Sequence, residues 1–331
     1  MTEAAALTDA RITVLEDLGA PELGAARWDA LLAQGPTDVA FLTHEWQRLW
    51  WQARGDELLT VVLAERDSEL IAIAPLFAVQ GGVSLVGSGG SDYLDFIGRP
   101  DEATLAAMLA AAREAAPGFA SIELYHVPAS SPTTAMLPGV AERLGLELER
   151  EEAPGAPYAD LGDAELVERL TARRSVRKEE ARMRRAGELC VREARAEELE
   201  RVVGLFFAQH AERWRPAGEA SFNRVGAREL VRTAVLAGHS AGWARVTLLE
   251  WEGRIAAIDI SLIRGTTQLT WLVSRDASIR EHSPGRVLRA QVIAAAVQAG
   301  MRRFDFGLGE EDYKLRDASG VVELANWFLY P

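Results

Sequence analysis

The sequence predicts an α/β (α+β) chain of two tandem lobes, each a mixed twisted sheet flanked by helices. Three observations predict it. A length of 331 residues exceeds the roughly 250–300 that one hydrophobic core usually serves. The order of strands and helices in the first half returns in the second, which is the mark of a duplication. The segment from Trp271 to Leu288 reads as a strand feeding a short loop that opens an apolar helix.

Alternation and helical spacing justify the elements in order. The first half reads as a helix over Trp46–Arg54, then strands near Leu58–Ala64 and Leu70–Val79. A short strand follows Gly81-Gly82, and the glycine-rich loop Gly87–Gly90 leads to another at Tyr93–Ile97. An alanine-rich helix covers Glu102–Ala116, followed by a strand at Ser121–Val127. The second half gives helices over Glu197–Ala211 and Asn223–Ala237, and strands at Ala244–Trp251, Ile255–Ile263 and Gln268–Val273. A helix over Gly285–Ala299 and a strand at Arg302–Phe306 close it. The stretch Glu65–Ile73 overlays Glu250–Ile258 as strand, charged turn, strand.

Between the halves, Glu149–Pro157 is polar and broken by prolines, as linkers are. A charged helix is expected from Ala164 to Ala186, ended by Gly187. The expected lobes are residues 1–158 and 159–318. The apolar, aromatic Val321–Tyr330 could rejoin the first lobe.

Composition narrows the function classes. With 48% hydrophobic and 26% charged residues the chain is ordinary globular protein. A net charge of −13 argues against DNA as a partner. A single cysteine allows no internal disulfide and fits a cytoplasmic protein. Its setting, Leu189-Cys190-Val191, suggests a buried small residue. No basic-then-apolar leader opens the sequence, and no apolar run approaches the roughly 18 residues of a membrane span. Five scattered histidines form no ligand pair, so no metal is expected.

The loop-to-helix segment carries the chemistry. Ser283 is a natural N-cap, Pro284 suits the first helical position and Gly285 keeps the backbone bare. Arg286 stands where a capping box would place Glu or Gln. Free N–H groups, the positive dipole end and a cation together favour a phosphate, although such an arginine can be merely solvated. The matching helix of the first lobe begins Arg99-Pro100-Asp101-Glu102, whose acids would satisfy the dipole and repel a phosphate. Arg280, Arg286 and Arg289 therefore assign the anion to the second lobe.

The string Arg280-Glu281-His282-Ser283-Pro284-Gly285 resembles the pyrophosphate loop of GNAT acyltransferases, Gln/Arg-x-x-Gly-x-Gly/Ala, with Ser283 in place of the first glycine. Pro284 also removes one N–H donor. Phe41–Trp46, Trp50-Trp51, Ile73-Ala74-Pro75-Leu76 and Ser91–Asp95 resemble the first lobe of the CelD-type branch, named for a link to cellulose biosynthesis. Asp305-Phe306-Gly307 and Tyr313-Lys314 resemble its second lobe. That branch is similar to the two-lobed FemABX-type transferases, which join amino acids to peptidoglycan precursors.

The resemblance implies two tandem GNAT-like lobes and transfer of an acyl group, in the simplest case acetyl, from acyl-CoA by direct attack. The acceptor would be an amine or hydroxyl of a small molecule or saccharide. It implies that Leu272 and Val273 pair with pantetheine, while Arg280, Ser283, Gly285, Arg286 and Val287 hold the diphosphate. Asp305, Tyr313 and Lys314 become the catalytic candidates. Asp305 either caps the glycine loop or lines a crevice beyond the strand ends. Tyr313 would protonate the leaving thiolate, and Lys314 would grip an acidic acceptor or a phosphate, or stand in solvent.

On the acceptor side stand Asp92 and Tyr93, which either project from a flexible loop or pack on the core. Trp214 and Asn223 are candidates for an acceptor wall. Arg174, Lys178, Arg182 and Arg185 fall on one helical face, either a solvated surface or a seat for a tRNA acceptor stem or an anionic saccharide. Trp46, Trp50 and Trp51 at helical spacing read as core. Two other functions fit: an aminoacyl-tRNA-dependent transferase, and an inactive scaffold module in a polysaccharide assembly.

Overall fold

The computed structural model describes residues 7–54, 58–79, 81–116, 118, 121–214 and 226–331. The chain divides into two compact units, residues 1–155 with 322–331, and residues 156–321.

The first unit runs β1 (Arg11–Leu15), α1 (Ala25–Gln34), α2 (His44–Arg54), β2 (Leu59–Arg66), β3 (Glu69–Val79), β4 (Gly82–Leu85) and β5 (Ile97–Gly98). Then follow α3 (Glu102–Ala115), β6 (Ser121–Pro128), α4 (Pro132–Leu144) and β7 (Glu147–Asp160), whose residues from 156 on fall in the second unit. The second unit continues with α5 (Ala164–Ala172), α6 (Arg174–Ala186), β8 (Leu189–Glu193), α7 (Leu199–Trp214) and α8 (Ala227–Ala241). It ends with β9 (Ala244–Trp251), β10 (Arg254–Arg264), β11 (Thr267–Arg275), α9 (Pro284–Gln298), β12 (Arg303–Asp305) and α10 (Asp312–Asp317). The last strand, β13 (Gly320–Tyr330), lies largely in the first unit and pairs with β6.

The two units share one topology. In the first, β1, β2, β3 and β4 form an antiparallel run, and β4 then pairs in parallel with β6 after the α3 crossover. In the second, β8, β9, β10 and β11 form the antiparallel run, and β11 pairs in parallel with β12 after α9. Each parallel strand has an antiparallel neighbour beyond it, β13 beside β6 and the end of β7 beside β12. The overlaid hairpins agree to the residue. Asp67 and Ser68 turn β2 into β3 with φ of 52° and 67°, and Glu252 and Gly253 turn β9 into β10 with φ of 52° and 71°. Positive φ at both central positions is the turn whose twist suits adjoining strands. Each hairpin also carries a bulge beside its turn.

Three expectations are corrected. Glu149–Pro157, expected as an irregular linker, is extended strand within β7, and the boundary between the two units falls inside it, after Gly155. The charged helix is two helices, broken at Arg173, whose φ and ψ of −52° and 136° are not helical. Cys190 is exposed, since on the edge strand β8 its neighbour Leu189 takes the core side.

In the second unit apolar residues cover both sheet faces. Leu166, Met183, Val287, Val292 and Phe304 belong to one core, built with α5, α6 and α9. Val202, Phe206, Val231, Ile258 and Ile260 belong to the other, built with α7 and α8. Among the described residues no helix is long and apolar enough to cross a membrane.

Candidate active site

The site begins where β11 and β12 part. Their parallel ladder ends at Leu269 opposite Asp305, while β11 runs on to Arg275. A bulge at Trp271, between the pairs Ile260–Leu272 and Ser261–Thr270, bends the strand there. Into the gap opens a groove of about 300 Å³, lined by Thr270, Val273, Ser274 and Arg275 from β11, and by Ser283, Gly285, Arg286 and Arg289 from the start of α9. Tyr313 and Arg316 of α10 and Asp259 of β10 also line it.

The start of α9 is open to an anion. No side chain caps it and its first turn holds no acid. In the first unit, by contrast, Asp101 caps α3, accepting from the Thr104 N–H at 2.7 Å. A Cβ added to Gly285 would meet nothing within 4 Å, so the backbone there borders open space. Ser283 is not the N-cap that its type suggests. It stands at φ 50° and ψ 47°, the left-handed conformation suited to the glycine of the GNAT loop, and its hydroxyl caps nothing. Ser283→Gly is therefore expected to hold stability within about 1 kcal/mol. The β-branched Ser283→Val should lose roughly 1–2 kcal/mol. Urea unfolding reads both, and a valine variant as stable as the parent would show that the turn is not kept.

The structure sorts the other candidates. Val273, Ser283, Gly285, Arg286 and Tyr313 line the groove. Arg286 also donates to Glu179 of α6 at 3.1 Å. Leu272 packs instead toward the core under α7 and α8, because the strand alternates its faces. Val287 is fully buried in the other core. Arg280 is exposed and lines no part of the groove.

Asp305 is buried and away from the groove lining. It accepts from the Gly307 N–H at 2.9 Å and from Arg303 at 3.0 Å, so it caps the glycine loop. Arg303 in turn lies over the Tyr158 ring, 3.8 Å from its centroid. Lys314 is turned to its own loop rather than to solvent. Its buried ammonium donates to the Leu308 carbonyl at 2.6 Å and pairs with Glu311 at 3.1 Å, which ties the same loop to α10. Tyr93 does not project either: it is buried, its ring 6.4 Å from Phe41. Asp92 is half-buried beside it. Asn223 and the side chain of Trp214 lie outside the described residues. The basic face of α6 is partly engaged, with Arg182 donating to the Glu281 carbonyl.

Sequence reasoning missed Asp259. It sits in the run Ile258-Asp259-Ile260-Ser261, whose isoleucines enter the α7–α8 core while Asp259 and Ser261 take the opposite face. An acid amid a buried strand was the available signal. Ser261 donates to its carboxylate at 2.5 Å and Thr270 at 3.2 Å. Burial pushes the Asp259 pKa up to about 6, against these two donors and the charge of Arg289. A carboxyl poised there is suited to exchange protons near neutrality. Arg289 lies over the Tyr313 ring, 4.5 Å from its centroid, and is held by Asp317 at 2.9 Å.

Residues 171–315 match the family model described as an acetyltransferase (GNAT) domain. The match falls within the second unit, the one that holds the groove. No curated protein matches this sequence. Among solved structures, the chain is similar to FemX with a TM-score of 0.66 at 13% identity, over 96% of this chain and 97% of that one. It is similar to a tandem GNAT protein from the clavulanic acid biosynthesis pathway, with a TM-score of 0.55 at 13% identity, over 96% and 98%. L-PGS from Bacillus licheniformis gives 0.57 at 13% identity, over 96% and 93%. At such identity the likeness is one of fold: a mixed α/β chain whose neighbours include tandem GNAT proteins.

Proposed function

We propose that the chain is an acyltransferase that moves an acyl group, in the simplest case acetyl, from acyl-CoA to an amine or hydroxyl acceptor. One observation carries this reading. The uncapped start of α9, the end of β11 beyond its ladder with β12, a buried carboxyl and a tyrosine all border one groove. The diphosphate of the donor would lie against the first turn of α9 beside Arg286. Its pantetheine would run along β11 beyond Leu269, where the ladder with β12 has ended.

Asp259 takes the proton of the attacking amine as the new bond to the acyl carbon forms. The C–S bond breaks, and Tyr313 protonates the departing thiolate. No covalent enzyme intermediate is needed. A small-molecule or saccharide acceptor and a cytoplasmic setting complete the proposal. A kinship with the CelD-type branch would rest on Asp305-Phe306-Gly307 and Tyr313-Lys314, of which Phe306 and Tyr313 line the groove while the others shape the loop beside it.

Calorimetric titration with acetyl-CoA and CoA tests the donor. Arg286→Glu, which sets a second carboxylate beside Glu179, should weaken both at least about tenfold. CoA binding that ignores the substitution would sink the placement of the diphosphate. Absent CoA binding, with tRNA binding that falls steeply with salt, would favour the aminoacyl route instead.

A further inference from the structure

Beside the groove, sharing Arg286, Arg289 and Arg316 with it, lies a second cavity of about 150 Å³. Arg169 and Arg173 complete its basic wall, and among the described residues that line it Asp317 is the one acid. Asp317 is already shared, with Arg289 at 2.9 Å and with Arg316 at 3.0 and 3.2 Å. Glu179 engages Arg286 from outside the cavity. No ion pair joins Arg169 or Arg173 to an acid among the described residues. Five guanidinium groups thus line the cavity beside one carboxylate, with Glu179, Asp259 and Asp312 acting on Arg286, Arg289 and Arg316 from outside it, in a chain whose net charge is −13. Like charges gathered at this density favour binding an anion.

The backbone gives a second, independent sign. α6 starts at this cavity, and Ser175 and Val176 of its first turn line it. No side chain caps α6 and its first turn contains no acid. Among the described residues the N–H groups ahead of Arg177, which donates to the Arg173 carbonyl at 3.0 Å, have no side-chain cap. The preceding helix α5, by contrast, is capped by Asp163, which accepts from Glu165 and Leu166 N–H. Buried Leu170 and Val176 supply an apolar floor, which strengthens charge interactions above it. Arg169, Arg316 and Asp317 lie outside residues 171–315, so the cavity is not contained in the matched domain pattern.

We propose that this cavity binds a phosphate monoester. A dianion answers the excess of positive charge better than a carboxylate, and guanidinium forks match its oxygens in pairs. The phosphate has two chemical sources: the ribose phosphate of a nucleotide donor in the adjoining groove, or a phosphorylated acceptor. The proposal rests on the donor reading above only in the first case.

Calorimetric titrations of the full chain with CoA, dephospho-CoA and inorganic phosphate test it, on the parent, Arg169→Glu and Arg173→Glu. Both arginines are exposed, so the variants should fold, and far-ultraviolet dichroism checks that they do. If the phosphate is the donor's, either variant weakens CoA about tenfold or more and leaves dephospho-CoA unchanged. If it belongs to another molecule, CoA and dephospho-CoA bind the parent alike, and the variants lose inorganic phosphate. Indifference of both CoA and phosphate to both variants overturns the proposal while the donor reading stands. Phosphate binding that the variants abolish, on a parent that binds no CoA, keeps the cavity and removes the donor.

Discussion

Asp259→Asn is expected to lower kcat by about 10²–10³-fold, the usual worth of a positioned proton acceptor. The parent rate should rise with pH around a midpoint near 6, where the Asp259 carboxyl ionises, and the variant should lack that limb. The same substitution should stabilise the fold at neutral pH. The buried carboxyl titrates at about 6 instead of its ordinary 3.8. Between those values the folded chain binds the proton that the unfolded chain has released, so stability falls as pH rises through that window. A gap of about two pH units corresponds to roughly 3 kcal/mol, lost in full above pH 6. Asparagine keeps an acceptor for Ser261 or Thr270 without the buried charge. Urea unfolding should thus show the variant ahead at pH 7.5 and level with the parent near pH 4. A variant that retains full activity and the acid limb would remove Asp259 from the chemistry.

The second large effect concerns Asp305, and it is structural. Asp305→Ala should lower unfolding free energy by about 2–4 kcal/mol. It strips the Gly307 N–H of its acceptor and leaves Arg303, seated over Tyr158, without its carboxylate. Asp305→Asn keeps an acceptor and should lose about half as much. Turnover per folded molecule should change little in either, measured below the unfolding transition. The reverse result, intact stability with activity gone, would return Asp305 to catalysis.

These two residues show what the amino-acid order disclosed about the site. Asp305 was visible because it ends a short strand before a glycine loop, yet its role depends on Gly307 and Arg303, a geometry that composition does not encode. Asp259 escaped because an alternating strand with one acid resembles many edge strands, and only the paired register puts it opposite Val273 at the groove. The bare, acid-free start of α9 was legible from Pro284, Gly285 and Arg286. Ser283 misled, since its identity suggests a cap while its backbone is that of a glycine. The hairpin duplication was legible from charged turns between apolar runs. β1, α1 and α4 went unread: β1 is five residues of weak alternation, and α4 carries Pro138 inside it. The strand conformation of β7 was hidden by the proline and glycine that punctuate it, although the boundary between the units does fall there.

The placement of β7 and β13 bears on how this protein is made. A ribosome that has delivered residues 1 to 155 has delivered a unit still missing its closing ribbon, because that ribbon is encoded at 322–331. Until then the flank of β6 offers unpaired N–H and C=O groups, a template on which another chain can dock by mistake. The half synthesised first is thus the half completed last, and its hydrogen-bond ladder stays unfinished throughout elongation.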